Sequence, residues 1–158
     1  MNKKAEVFDA MLKEQKIESF DRSELKDSFN GVLYRTTIDV KNQYLPVFLT
    51  IDASIYSVVR IILGDRIVND DNRAAMDKYI NEINRSQKVF KYYYADDGTL
   101  FVDACIVSSD ESFEPRLVQV VLEVVIEHLK KTYGDTMSII WNVDAPESER
   151  QEEQKELD

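Results

Sequence analysis

Two carboxylates follow three phenols in the segment from Tyr92 to Gly98, whose sequence is YYYADDG. Paired carboxylates could hold a calcium ion, or could act as a general acid and a general base. A calcium loop also needs a glutamate roughly five or six residues after its glycine, whereas Phe101 to Ala104 follow here. Acid–base catalysis needs two carboxyl groups in different environments, which an exposed turn does not provide. The segment therefore predicts a hairpin turn with Gly98 at a positive φ.

The three tyrosines of this segment, Tyr92 to Tyr94, alternate between the two faces of a strand, so the core and the outer surface share them. Aromatic side chains on an exposed sheet can stack nucleic-acid bases. That use also requires basic residues for the phosphates, whereas this chain has 30 acidic and 20 basic residues and a net charge of −10. The sequence therefore predicts cross-strand packing of the tyrosines and no nucleic-acid partner.

His128 and Cys105 are the one histidine and the one cysteine of the chain. A zinc site would need further His or Cys ligands, and a cysteine nucleophile would need a base to activate it. The sequence contains no glycine-rich phosphate loop, no nucleophile elbow and no zinc-binding pattern. We therefore expect a packed or interface histidine, and no catalytic residue, metal or cofactor. The chain is not expected to be an enzyme.

Length and composition favour one globular domain at 1–143. No run approaches the roughly 20 apolar residues that span a membrane, and the start has no apolar signal segment. A single cysteine also fits a reducing compartment, so a cytoplasmic protein without a membrane anchor is expected. Residues 144–158 hold seven acidic residues, two basic residues and one large apolar residue, Leu157, which predicts a disordered acidic tail.

Hydrophobic periodicity divides the domain into helices and strands. Short links between the first strands favour antiparallel neighbours. Asn84, near the end of the second helix, is expected to bond the backbone of the next strand through its amide. The predicted class is α+β, with helices packed on an antiparallel sheet of about five strands, in the order α-β-β-β-α-β-β-α. The predicted elements are a helix at 3–16, a connection at 19–30, strands at 32–40, 47–52 and 57–63, a helix containing Met76, Tyr79, Ile80 and Ile83, strands at 89–94 and 99–107, a helix at 113–133 ended by Gly134, and, at 138–143, either a last short strand or a segment that packs Trp141 on the core.

The long helix at 113–133 has more apolar surface than one sheet face can cover. Its eleven large apolar residues spread over roughly 240° of the helical wheel, whereas a core-facing stripe needs about 100°. Another helix of the chain or a partner must cover the remainder. We favour a homodimer, because a two-fold interface buries one patch twice. The predicted interaction surface consists of Val118, Leu122, Val125 and Leu129.

Several segments together resemble a known family. They are YINEINR at the end of a helix, the turn DDG, the strand TLFVDACIV and the helix FEPRLVQVVLEVVIEHL. Between Phe29 and Tyr133 the chain is similar to the YbjN family, bacterial proteins with a proposed role as sensory-transduction regulators. The resemblance implies a type III secretion chaperone-like fold with a central antiparallel sheet, frequent dimers and no established catalytic residues. The chain departs from secretion chaperones in its first helix and its acidic tail.

These observations together predict a non-enzymatic bacterial protein-interaction module, a regulator or chaperone-like binder that forms a homodimer. The resemblance implies the fold of secretion chaperones, which are homodimers that hold extended segments of client proteins. The alternative is a sensor of a small molecule or peptide, with a pocket between the sheet and the helices. An apolar cavity with converging polar groups would favour the alternative.

Overall fold

Residues 2–142, the part of the chain that the computed structural model describes, form three helices and one six-stranded antiparallel sheet. The predicted α+β class is confirmed, with one strand more than expected, because part of the predicted connection at 19–30 pairs with the next strand. The predicted acidic tail, 144–158, lies outside the described residues. The elements are α1 (Lys3–Glu14), β1 (Asp21–Glu24), β2 (Val32–Val40), β3 (Gln43–Ile51), β4 (Tyr56–Gly64), α2 (Arg73–Ser86), β5 (Lys91–Tyr94), β6 (Leu100–Val107) and α3 (Arg116–Trp141).

Antiparallel pairing orders the sheet as β1-β2-β3-β4-β6-β5. Lys41 and Asn42 join β2 to β3 at φ angles of 50° and 65°, a two-residue turn whose twist matches that of the flanking strands. The chain passes from β4 through α2 to the far edge of the sheet, and β5 then pairs only with β6 among the described strands. The four longest strands therefore occupy the middle of the sheet.

Side chains alternate along these strands and divide the sheet into two faces. On one face, Tyr34, Leu49 and Val102 are each about 1% exposed, because the helices of the described region pack there. On the other face, the intervening side chains, such as Phe48 and Arg60, are only half-buried. This second face is called the open face below.

Polar contacts fix α1 on the face of the sheet that the helices cover, which is called the covered face below. The side chain of Asn2 accepts a hydrogen bond from the Ala5 amide (3.0 Å) and donates one to the Ile51 carbonyl (2.8 Å), so it caps the helix and ties it to β3. The Tyr34 hydroxyl of β2 donates to Oδ1 of Asp9 (2.8 Å) in the same helix. Because α1 lies here, it covers part of the sheet beside α3.

The end of α3 differs from the prediction. The helix continues through Gly134 and ends at Trp141, so the expected strand at 138–143 does not form within the described residues. Contacts with α2 and with Asn72, the residue before it, hold the additional turns. The Tyr79 hydroxyl lies 2.9 Å from Oγ1 of Thr136, and Nδ2 of Asn72 donates to the Ile140 carbonyl (3.0 Å). These bonds outweigh the cost of about 1 kcal/mol for glycine inside a helix. Trp141 is 66% exposed and does not pack on the core.

Candidate interaction surface

The open face contains a shallow depression of about 470 Å³ near the centre of the sheet. A sheet face in contact with water usually carries polar side chains, whereas most of the lining here is apolar. The depression is therefore the feature of the open face that most needs an explanation. Its lining residues are Leu33, Phe48, Thr50, Val58, Arg60, Ile62 and Phe101.

Strand register places four open-face side chains in a line across the four central strands. Each is the direct cross-strand partner of the next, so their side chains lie side by side on one face. The line is called the cross-sheet row below. It consists, from β2 to β6, of Arg35, Phe48, Arg60 and Asp103.

Arg60 and Asp103 form a two-point ion pair within the cross-sheet row. Nε of Arg60 donates to Oδ1 of Asp103 (3.0 Å), and Nη2 donates to Oδ2 (2.9 Å). The hydroxyl of Tyr93 in β5 also donates to Oδ2 (3.1 Å). The hydrogen bonds from Arg60 to Asp103 raise the pKa of the guanidinium above its ordinary value. The two charges of this pair compensate each other on the open face.

Aromatic rings hold the Arg60 guanidinium in place. Its Cζ atom lies 4.9 Å from the centroid of the Phe101 ring and 5.7 Å from that of Tyr93. The two rings stack on each other with centroids 5.2 Å apart. This cation–π arrangement keeps the guanidinium and the two rings together as a compact group on the open face.

The open face is close to neutral, although the whole chain has a net charge of −10. Strand alternation directs three acidic and three basic residues of β1 to β6 toward it. The Lys91 ammonium turns to the C-terminal end of α2, where it donates to the carbonyls of Asn84 (2.6 Å) and Gln87 (2.5 Å). Without that ammonium, three acids face two bases and the open face has a formal charge of about −1, so most of the excess negative charge of the protein lies elsewhere. The six residues are Asp21, Asp39, Asp103, Arg35, Arg60 and Lys91.

The interaction surface predicted on α3 points mostly into the chain's own core. Val118, Val125 and Leu129 are at most 1% exposed, and Leu122 is half-buried against the core. The sheet and α2 contact α3, and these residues belong to the common core, which the wide apolar arc alone could not reveal. The outer side of α3 instead exposes an apolar stripe of three residues. They are Leu117, Val120 and Val124.

The segment that contains Asp96, Asp97 and Gly98 forms the predicted turn between β5 and β6. Gly98 has a φ of 85°, and Oδ1 of Asp97 accepts a hydrogen bond from the Thr99 amide (2.9 Å). That bond lowers the pKa of Asp97 below its ordinary value. Tyr92 is buried, whereas Tyr93 lies on the open face, so the predicted division of the tyrosines is also confirmed.

His128 packs on the covered face. Its Nε2 lies 3.1 Å from the Tyr92 hydroxyl, and its ring centroid lies 4.8 Å from that of Phe90. Burial lowers the pKa of His128 below its ordinary value, because the cationic form loses hydration there. Of the two expectations, a packed histidine is the one that fits.

Cys105 lies on the open face beside the depression. It is exposed and is the direct cross-strand neighbour of Val58. Within residues 2–142, no group of three or more His, Cys, Asp or Glu side chains could hold a metal ion. Over the same residues, no helix has the length and apolar character needed to cross a membrane.

Comparisons with known proteins add no relative to this description. No protein-family model matches the chain, and searches of curated proteins and of solved structures found no match either. The similarity to the YbjN family therefore stays a prediction.

Proposed function

We propose that this protein is a non-enzymatic interaction module that binds another polypeptide through the open face of its sheet. The apolar depression at the centre of that face supports the proposal. Apolar patches left on a protein surface commonly mark binding sites, because covering them removes apolar area from water. Phe48 and Phe101 supply large aromatic side chains, which bury much apolar area when an interface covers them.

The polar groups of the open face fit recognition better than catalysis. Arg60, Asp103 and Tyr93 donate to and accept from one another, so their hydrogen-bonding groups are already arranged. Such a preorganised cluster can be covered by a partner with little loss of side-chain freedom. A regulator or chaperone-like binder in the bacterial cytoplasm is the role we infer, in keeping with the similarity to the YbjN family.

A second candidate function is the sensing of a small molecule. The depression of about 470 Å³ falls within the range of about 300–1,000 Å³ that is typical of ligand sites. It lies on the open face, however, and not between the sheet and the helices as predicted. A ligand there would lie against Phe48 and Phe101 beside the Arg60 guanidinium.

Two matched variants test the proposed function. Phe48→Glu places a charge in the depression, and Val124→Glu places the same charge on the exposed stripe of α3. Proteins captured by the wild type should be identified, purified and titrated against all three forms by calorimetry, after circular dichroism has established that each form is folded. We expect a purified partner to bind the wild type and Val124→Glu and to lose binding to Phe48→Glu.

The same titration can contradict the proposal. Loss of binding in Val124→Glu with full binding in Phe48→Glu would move the surface to α3. A small ligand found on the wild type by native mass spectrometry, and absent from Phe48→Glu, would favour the sensor instead.

A further inference from the structure

The charged and aromatic groups of the cross-sheet row are complementary to the same groups taken in the opposite order. From β2 to β6 it presents a cation, an aromatic ring, a cation and an anion. In reverse order the same four groups read anion, cation, ring and cation. If two rows face each other in opposite directions, each Arg35 meets Asp103 and each Phe48 meets Arg60.

We propose that the partner of the open face is a second copy of this chain, in a face-to-face dimer with the two cross-sheet rows antiparallel. This inference rests on the proposed function, since it names the polypeptide that the open face binds. The two-fold axis runs parallel to the strands, between β3 and β4. Each dimer then has two Arg35–Asp103 ion pairs and two contacts of a Phe48 ring with an Arg60 guanidinium, both favourable in a partly dry interface.

Charge selects this axis over the other in-plane two-fold axis. An axis parallel to the row would place Arg35 against Arg35 and Asp103 against Asp103, and like charges opposed in an interface cost free energy. The near-neutral open face also lets two copies approach at this face, although each chain has a net charge of −10.

The dimensions of the open face suit a dimer. Strands of nine, nine, nine, eight, four and four residues, at about 3.3 Å per residue and about 4.8 Å between strands, cover about 700 Å². Side-chain relief adds to this footprint, and a standard interface buries about 800 Å² per partner. An axis parallel to the strands gives the aligned packing that two sheets commonly adopt.

Cys105 supplies a native reporter of this arrangement. It lies on β6 in line with Leu33 of β2, because both are joined by direct cross-strand neighbours through Thr50 and Val58. The two-fold axis places each Cys105 over Leu33 of the other copy. The thiol is exposed in the single chain and becomes covered in the dimer.

The first experiment measures association of the full chain by sedimentation velocity between about 1 and 100 µM, a range that detects micromolar affinity. The wild type should approach twice 18.4 kDa as concentration rises, and alkylation of Cys105 should slow in parallel. Arg35→Glu should weaken association on the order of tenfold or more, because it opposes Asp103 with a like charge. Arg116→Glu makes the same charge change at the exposed start of α3 and should leave association unchanged.

A charge exchange tests the antiparallel row itself. Arg35→Asp and Asp103→Arg should each prevent self-association, since each opposes two like-charged pairs. An equimolar mixture should dimerise, because one copy then supplies both acids and the other supplies both bases. Circular dichroism of each variant checks that it is folded. If Asp103→Arg does not fold, the comparison of Arg35→Glu with Arg116→Glu and the Cys105 rates still decides the matter.

Several results would overturn the dimer. They are a wild type that stays monomeric with a constant Cys105 rate, a dimer that Arg35→Glu leaves intact, and a dimer weakened equally by Arg116→Glu. A monomer whose Cys105 is protected by a purified partner protein would reject the second copy and keep the proposed function. A monomer whose Cys105 is protected by a small molecule alone would reject both.

Discussion

The side-chain amide of Asn84 in α2 forms two hydrogen bonds with the backbone of Tyr92 in β5. Its Nδ2 donates to the Tyr92 carbonyl (2.9 Å), and its Oδ1 accepts from the Tyr92 amide (2.8 Å). The amide thus pairs with an edge strand as another strand would, and the predicted role of Asn84 is confirmed. Tyr92 is buried and its hydroxyl lies 3.1 Å from Nε2 of His128, so Asn84 anchors a strand that packs against α3.

Replacement of Asn84 should therefore destabilise the fold. In Asn84→Ala the Tyr92 backbone groups lose their partners in a partly buried place, and we expect a loss of about 2–3 kcal/mol in the free energy of unfolding. Asn81→Ala, on the exposed side of the same helix, should change it by less than about 0.5 kcal/mol. Urea denaturation compares the two variants. Because alanine favours a helix at both positions, a loss in Asn84→Ala no larger than that in Asn81→Ala would show that the Tyr92 contact contributes little to stability.

Two glycine-to-alanine substitutions should change the free energy of unfolding in opposite directions. Gly98 has a φ of 85°, and a Cβ atom there would lie 2.1 Å from the Val68 carbonyl oxygen. Gly98→Ala should therefore cost about 3 kcal/mol. Gly134 lies inside α3, where alanine is the better helix former, so Gly134→Ala should add about 0.5–1 kcal/mol. Thermal unfolding measures both, and a loss for Gly134→Ala would indicate that its Cβ atom has no room.

The sequence predicted those features of the fold that depend on residues close together along the chain. Strand alternation, the turn at Gly98 and the Asn84 contact follow from local spacing, and the structure contains all three. The end of α3 does not follow from local spacing, because a glycine such as Gly134 ends a helix only when no contact with distant residues stabilises the turns beyond it. Here Asn72 and Tyr79 of other segments hold the turns beyond it, and no pattern within α3 contains that information.

The candidate surface was visible in the sequence only in part. The run from Ser57 to Leu63 is apolar except for Ser57 and Arg60, and such a run is typical of a strand covered on both faces. Which face the helices take depends on tertiary packing, so the open face could not be assigned. To predict the cross-sheet row, the register of four strands must also be known. Hydrophobic patterns determine only which face each side chain takes, and not which residues lie opposite one another.

His128 should make the stability of the fold depend on pH. Burial lowers its pKa in the folded state, so the unfolded chain takes up a proton more readily as the pH falls below about 6.5. The stabilisation is complete above that pH and declines below it. The free energy of unfolding should decline as the pH is lowered below about 6.5 in the wild type and should decline less in His128→Gln. Parallel curves for the two proteins would show that other groups titrate in this range.

The same substitution at two adjacent valines of α3 should have very different effects on the stability of the fold. Val125 is 1% exposed and belongs to the core, whereas Val124 is 39% exposed on the outer stripe. Val125→Glu would bury an unpaired carboxylate, so we expect a loss of at least about 4 kcal/mol and, at neutral pH, an unfolded chain. Val124→Glu should stay within about 0.5 kcal/mol of the wild type and keep its far-ultraviolet circular dichroism. A folded Val125→Glu would mean that this flank of α3 can leave the core and that the predicted surface at Val118, Leu122, Val125 and Leu129 is accessible after all.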